Sequence, residues 1–161
     1  MRSLSVLTMA AVLGLIVGLA PARADEKEIP LKDVPKAVID AIKAKFPGAK
    51  LKEAAKEEED GKTVYEVELV FNNDEYTVEA SADGKILAVE KEIEVEDLPA
   101  AVTAALKAKY PGAKLDEAEE VTEGTTISYE VIVKTADKKT WEVKLDKTGK
   151  ILKTEEADDK D

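Results

Sequence analysis

The sequence predicts an α+β protein of two tandem repeats, each one helix packed on a four-stranded antiparallel sheet meander. Three observations carry this. The stretch AIKAKFPGAKLKEA at residues 41–54 returns as ALKAKYPGAKLDEA at 105–118, with eleven of fourteen positions identical. Ahead of each Pro-Gly, apolar residues recur at the 3.6-residue period of a helix. After each Pro-Gly the period drops to two, that of a strand with one buried face.

The elements follow in order. Asp33 and Asp97 are the expected N-caps, with Pro35 and Pro99 in the first turn. Val34, Ala37, Val38, Ala41 and Ile42 form one apolar stripe, and Leu98, Ala101, Val102, Ala105 and Leu106 repeat it. Pro47-Gly48 and Pro111-Gly112 stop the helices, since Pro cannot continue one and Gly permits the reversal. Phe46 and Tyr110, at the same corner, are placed to close one end of each small core. Residues 50–58 read as a weak first strand. Tyr65, Val67, Leu69 and Phe71 face inward on the second, and Tyr76, Val78 and Ala80 on the third. The second copy offers Ile127, Tyr129, Val131 and Val133, then Trp141, Val143 and Leu145. Asp60-Gly61, Asn72-Asn73-Asp74 and Asp83-Gly84 mark turns, and residues 85–92 read as the fourth strand. The copies are offset by 64 residues up to the second strand and by 65 from the third, so one residue has entered a hairpin loop. Only Glu94, Val95 and Glu96 separate the fourth strand from the second helix cap, a reach of about 10 Å. The two sheets are therefore expected edge to edge or in close contact.

The chain opens MRSLSVLTMAAVLGLIVGLAPARA, with Arg2, an apolar run and Ala22-Arg23-Ala24 before Asp25. That is the pattern of a secretory signal peptide cleaved after Ala24, placing the mature protein in the periplasm or outside the cell with no membrane insertion after cleavage. The expected organisation is signal peptide 1–24, repeats 25–90 and 91–156, and a disordered acidic tail 157–161. Without Arg2 and Arg23, 22 basic residues stand against 35 acidic ones, a net charge of −13. Nucleic acid and anionic lipid surfaces are poor partners for such a chain. With no Cys, the fold rests on its apolar core alone. With no His, Ser-His-Asp and Cys-His catalysis and His-based metal sites are excluded.

No catalytic, cofactor or metal site is expected. The acidic runs 57–60 and 158–159 lack the alternating ligands and Gly turn of a calcium loop. The outer faces of the strands offer Val64, Glu66, Glu68, Val70, Thr77 and Glu79 in the first copy, and Ser128, Glu130, Ile132, Lys134, Glu142 and Lys144 in the second. These are read as a water-facing sheet surface whose glutamates oppose aggregation, so that removing Glu66 or Glu130 should cost about 0.5 kcal/mol or less. The same surface, with Val64, Glu66, Glu68, Val70, Glu130, Ile132, Lys134, Glu142 and Lys144 as its contacts, is the candidate partner-binding site. The expected partner is another exported protein.

The ordered set D-[VL]-P-x-A-V, A-[IL]-K-A-K-[FY]-P-G-A-K, Y-E-V, an aromatic hairpin and G-K-I-L resembles the PepSY-like family, which is related in fold to the β-lactamase inhibitor proteins. The resemblance spans nearly all of residues 27–155, twice. It implies one helix on a four-stranded sheet, often in tandem, in exported bacterial proteins. Related PepSY domains occur in propeptides that inhibit secreted metallopeptidases, and the tandem inhibitors bind enzymes through a concave sheet face. This chain departs from the lactamase inhibitors in having no disulfides. The implied function is a non-enzymatic exported binding module that inhibits or modulates an exported enzyme; the alternative is a cation- or small-ligand-binding sensor of the cell envelope.

Overall fold

A computed structural model of the protein describes residues 27–59 and 61–157; the expected signal peptide and residues 158–161 of the expected tail lie outside these. Two helices pack against one antiparallel sheet of nine strands, each bonded to its neighbours in sequence. The strands are β1 (Lys27–Glu28), β2 (Lys50–Glu59), β3 (Lys62–Phe71), β4 (Asp74–Ser81), β5 (Ile86–Ile93), β6 (Lys114–Glu123), β7 (Thr126–Lys134), β8 (Thr140–Asp146) and β9 (Ile151–Ala157); α1 (Lys36–Lys45) precedes β2 and α2 (Ala100–Lys109) precedes β6.

The expected four-stranded sheets are not separate. β5 pairs with β6 from Val89↔Thr122 to Ile93↔Ala118, which joins them into one sheet. The short β1 was not expected; it adds to the outside of β2 through Lys27↔Lys56 and Glu28↔Ala55. The junction at β5–β6 gives a test. Expressed apart, 25–93 and 94–161 each expose a strand edge that the whole chain pairs, and such edges self-associate. At least one half is expected to melt well below the intact protein or to sediment as an oligomer. Two monomeric halves with unchanged melting would show the junction to be energetically idle.

Each helix starts later than its Asp suggests. Leu31–Asp33 and Val95–Asp97 are short 3-10 turns, and the helix caps are Pro35 and Pro99, neither with a side-chain capping bond. The residues before the prolines, Val34 (φ −70°, ψ 134°) and Leu98 (φ −59°, ψ 140°), are extended. Proline excludes its predecessor from the α region, so Asp33 and Asp97 cannot open the helices directly. At the other end the Phe46 N–H donates to the Ile42 carbonyl and the Tyr110 N–H to that of Leu106. Gly48 (φ +86°) and Gly112 (φ +78°) then turn the chain into the sheet.

The helical stripes and inward strand residues form two apolar clusters. Val34, Val38, Ile42, Val67, Leu69, Val78 and Ala80 are buried in one, and Leu98, Val102, Leu106, Val131, Val133, Val143 and Leu145 in the other. Phe46 packs on Tyr76 at 5.1 Å between ring centroids and Tyr110 on Trp141 at 6.3 Å, closing one end of each cluster. Ile127, expected inward, is instead exposed at the start of β7. Val67 and Val131 are fully enclosed. Val67→Ala and Val131→Ala are each expected to cost about 1–3 kcal/mol in denaturant melts, through lost burial and a cavity.

Candidate functional site: the charged face of the sheet

Because side chains alternate along a strand, each inward Val or Leu obliges its neighbours to the opposite face. Two rows of that face show how charge is laid across the strands. One runs Glu92–Glu119–Glu130–Lys144–Lys153 across β5 to β9. Another runs Ala55–Glu66–Glu79–Ala88 across β2 to β5. Glu90, between these rows, stands opposite Thr77 and Val121.

The face is not the water-bathed surface expected from the alternation. Val64, Glu66, Glu79, Glu90, Ser128, Glu130, Ile132 and Lys144 are buried, with Glu66 at 7% exposure and Glu130 at 2%. The small cost expected for removing exposed carboxylates therefore does not apply to Glu66 and Glu130. Alternation reports which face a residue takes; it does not report how crowded that face is. Of the other expected contacts, Glu68, Val70 and Glu142 are half-buried and Lys134 is exposed. All nine expected contacts share the face.

A cation is held inside it. Lys144 Nζ lies 3.0 Å from Glu130 Oε1 and 3.0 Å from Glu123 Oε1. Burial alone would lower the Lys144 pKa, but the carboxylates of Glu130 and Glu123 more than offset this and leave it raised. At the rim, Asp116 is paired with Lys114 and with Lys134, the latter at 2.9 Å, and these bonds hold its pKa below the ordinary value.

The carboxylates between these ion pairs are crowded. Burial, then repulsion from Glu130 and Glu142, pushes Glu119 up to about 8. Burial, then repulsion from Glu130 and Glu155, pushes Glu142 up to about 8. Glu90 is raised well above the ordinary range by burial and by Glu119, Glu79, Glu130 and Glu66. Glu90 Oε1, Glu119 Oε2 and Glu130 Oε2 are enclosed and accept no hydrogen bond. Glu90 and Glu119 were missed as candidates because β5 and β6 are the strands of weakest alternation. Once β3, β4 and β7 fix the faces, register alone assigns both to this one. Among the described residues no three acidic groups are arranged as a metal site, and no helix is long and apolar enough to cross a membrane.

The chain matches the family model described as "Peptidase propeptide and YPEB domain" over residues 35–90. It matches the model described as "Putative beta-lactamase-inhibitor-like, PepSY-like" over residues 65–153, more than half its length. No curated protein matches it significantly. Among solved structures it is similar to a BLIP-like protein from Bacteroides fragilis, at 23% identity and a TM-score of 0.60, over 79% of this chain and 92% of that one. It is also similar to a protein from Bacteroides eggerthii described as periplasmic, at 17% identity and a TM-score of 0.63, over 76% of this chain and 88% of that one. At these identities the likeness is one of fold.

Proposed function

Since the chain belongs to the beta-lactamase-inhibitor-like, PepSY-like family, we propose that it is an exported, non-enzymatic binding module that modulates another exported protein through the charged face of its sheet. We further infer that α1 with β2–β5 and α2 with β6–β9 are copies of one unit, spanning 25–90 and 91–156, behind a signal peptide cleaved after Ala24.

The observation that carries the binding reading is the set of enclosed carboxylate oxygens on Glu90, Glu119 and Glu130. An enclosed acceptor without a donor costs roughly 1–3 kcal/mol. Beside these carboxylates stand the half-buried Glu68, Val70 and Glu142 and the exposed Lys134, through which a partner can meet the face. Duplication doubles the width of that face without a linker.

The test is capture from the envelope fraction, comparing the protein with the double variant Glu68→Lys, Lys134→Glu, two positions on the same face that are half-buried and exposed. A protein retained by the parent and lost by the variant is the expected result. Identical retention by both, or retention of nothing, would remove the reading. The cation-sensor alternative draws on the same carboxylates and predicts instead a rise in melting temperature with millimolar Ca²⁺, since a ligand that binds only the folded state stabilises it.

A further inference from the structure

The two edges of the sheet are not alike. At one, β1 already sits on β2, at Ala55 and Lys56, and the Ile29 N–H donates to the Ala54 carbonyl. At the other, no strand among the described residues pairs with the outer side of β9. β9 is seven residues long, Ile151–Ala157, and holds neither Pro nor Gly. Its counterpart β5, which begins within the same G-K-I-L, is covered on that side by β6. Ala88, Val89 and Glu90 are buried there, whereas Lys153, Thr154 and Glu155 are half-buried, and Leu152 is 48% exposed where Leu87 is half-buried. An extended edge of this kind offers its backbone N–H and C=O groups to another strand.

We propose that β9 pairs antiparallel with β9 of a second copy of the chain, about a two-fold axis at Thr154, to make one continuous sheet across a symmetric dimer. The charges select this register. Lys153 and Glu155 share the charged face, opposite Lys144 and Glu142 on β8, and within one chain they form an ion pair of 2.6 Å. With the axis at Thr154, Lys153 of each copy stands opposite Glu155 of the other, so both cross-strand pairs join opposite charges. Moving the axis by one residue sets Lys153 against Lys153 or Glu155 against Glu155, and like charges directly opposed destabilise a sheet. The remaining pairs, Leu152 with Glu156 and Ile151 with Ala157, bring no like charges together. Directly opposed residues share a face, so the charged faces of the two copies lie side by side, with the helices on the other side. The contact is isologous and β1 occupies the middle of β2, so association closes at two copies rather than growing into a fibre.

The test is analytical sedimentation of the chain 25–161 over a range of concentrations at physiological salt. A contact along one strand edge is small, so the dissociation constant is expected on the order of 10–100 µM. Lys153→Glu and Glu155→Lys each turn both cross-strand pairs into like-charge pairs and are expected to weaken the dimer by about tenfold or more. An equimolar mixture of the two variants restores opposite charges at both pairs and should dimerise about as tightly as the parent; a merely structural role for either residue gives no such rescue. Glu96→Lys makes the same change in net charge as Glu155→Lys on the exposed 3-10 turn before α2 and should alter the dissociation constant by no more than about twofold, as screened surface charges do. Backbone amides of β9 should exchange hydrogen more slowly as the concentration of the parent rises. A parent still monomeric at about 1 mM, a mixture as monomeric as its components, equal weakening by Glu155→Lys and Glu96→Lys, or β9 amides indifferent to concentration would each overturn the dimer. A dimer that captures nothing from the envelope fraction leaves this inference standing and removes only the reading of the charged face.

Discussion

Stability is expected to fall as the pH rises from about 5 to about 8, the reverse of the usual acid unfolding of an acidic protein. Glu119 and Glu142 titrate near 8 in the folded chain, and Glu90 is also raised well above its ordinary range. In the unfolded chain all three lose their protons near the ordinary glutamate value of about 4.3. Between these limits the folded state carries protons that the unfolded state has released, so each pH unit gained weakens folding by about 1.4 kcal/mol per retained proton. One such proton carried over three units amounts to about 4 kcal/mol, and mutual repulsion keeps the three from adding independently. Asp83, Asp116, Asp137 and Asp146 work in the opposite sense, because hydrogen bonds lower their pKa. Their contribution is present above about pH 4 and is lost below it. Maximal stability should therefore lie near pH 5, with the melting temperature there on the order of 10 °C above that at pH 8. Glu90→Gln, neutral at every pH, should raise stability at pH 8 and leave it little changed at pH 5. A melting temperature that climbs from pH 5 to 8 would mean that these carboxylates are charged and paired in the folded protein.

Gly84→Ala and Gly149→Ala are expected to be the most damaging of the glycine substitutions, at about 2–5 kcal/mol each. Both glycines turn the last hairpin of their half at positive φ, +87° and +83°. Both also lie against a helix backbone. A Cβ on Gly84 would sit 2.5 Å from the Ala37 carbonyl oxygen, and one on Gly149 would sit 2.9 Å from the Ala101 carbonyl carbon. The two costs, a left-handed backbone and a backbone clash, fall on the same atom. Gly48 and Gly112 separate them, since they share the positive φ but a Cβ added at either would meet nothing within 4 Å. Their alanine variants should lose only the conformational term, about 1–2 kcal/mol. Urea midpoints for the four variants would settle the ranking, and equal losses would show that the helices do not bear on the turns.

The repeated G-K-I-L marks these turns in the sequence, yet their contact with the helices is invisible there. A glycine needed for φ and a glycine needed for space read alike until the helix is in place. The helix stripes, the inward valines of β3 and β7 and the Pro-Gly corners were legible because each follows from a period or a forbidden backbone conformation. The helix starts were misread because the constraint of Pro35 on Val34 outweighs the capping preference of Asp33. The charged face was legible as a face and misread as a surface. Alternation put Glu66 and Glu130 opposite the helices correctly, but a period of two carries no information on how far that face is covered. Glu90 and Glu119 meet only because β5 and β6 pair, and that pairing follows from the short connection rather than from either strand's composition.

The strand order carries a consequence for how the protein is made. Every strand lies beside the one before it, from β1 to β9. A chain released N-terminus first, from a ribosome or through a membrane pore, never has to hold a strand idle for a mate still to emerge. Each new segment meets an edge already in place, and the half containing α1 can bury its own core before α2 appears. The one pairing that joins the halves, β5 with β6, spans a short helix rather than a distant stretch of chain. Growth is thus by accretion at a single advancing edge, and β9 presents on its outer side the same kind of edge that β5 offers to β6.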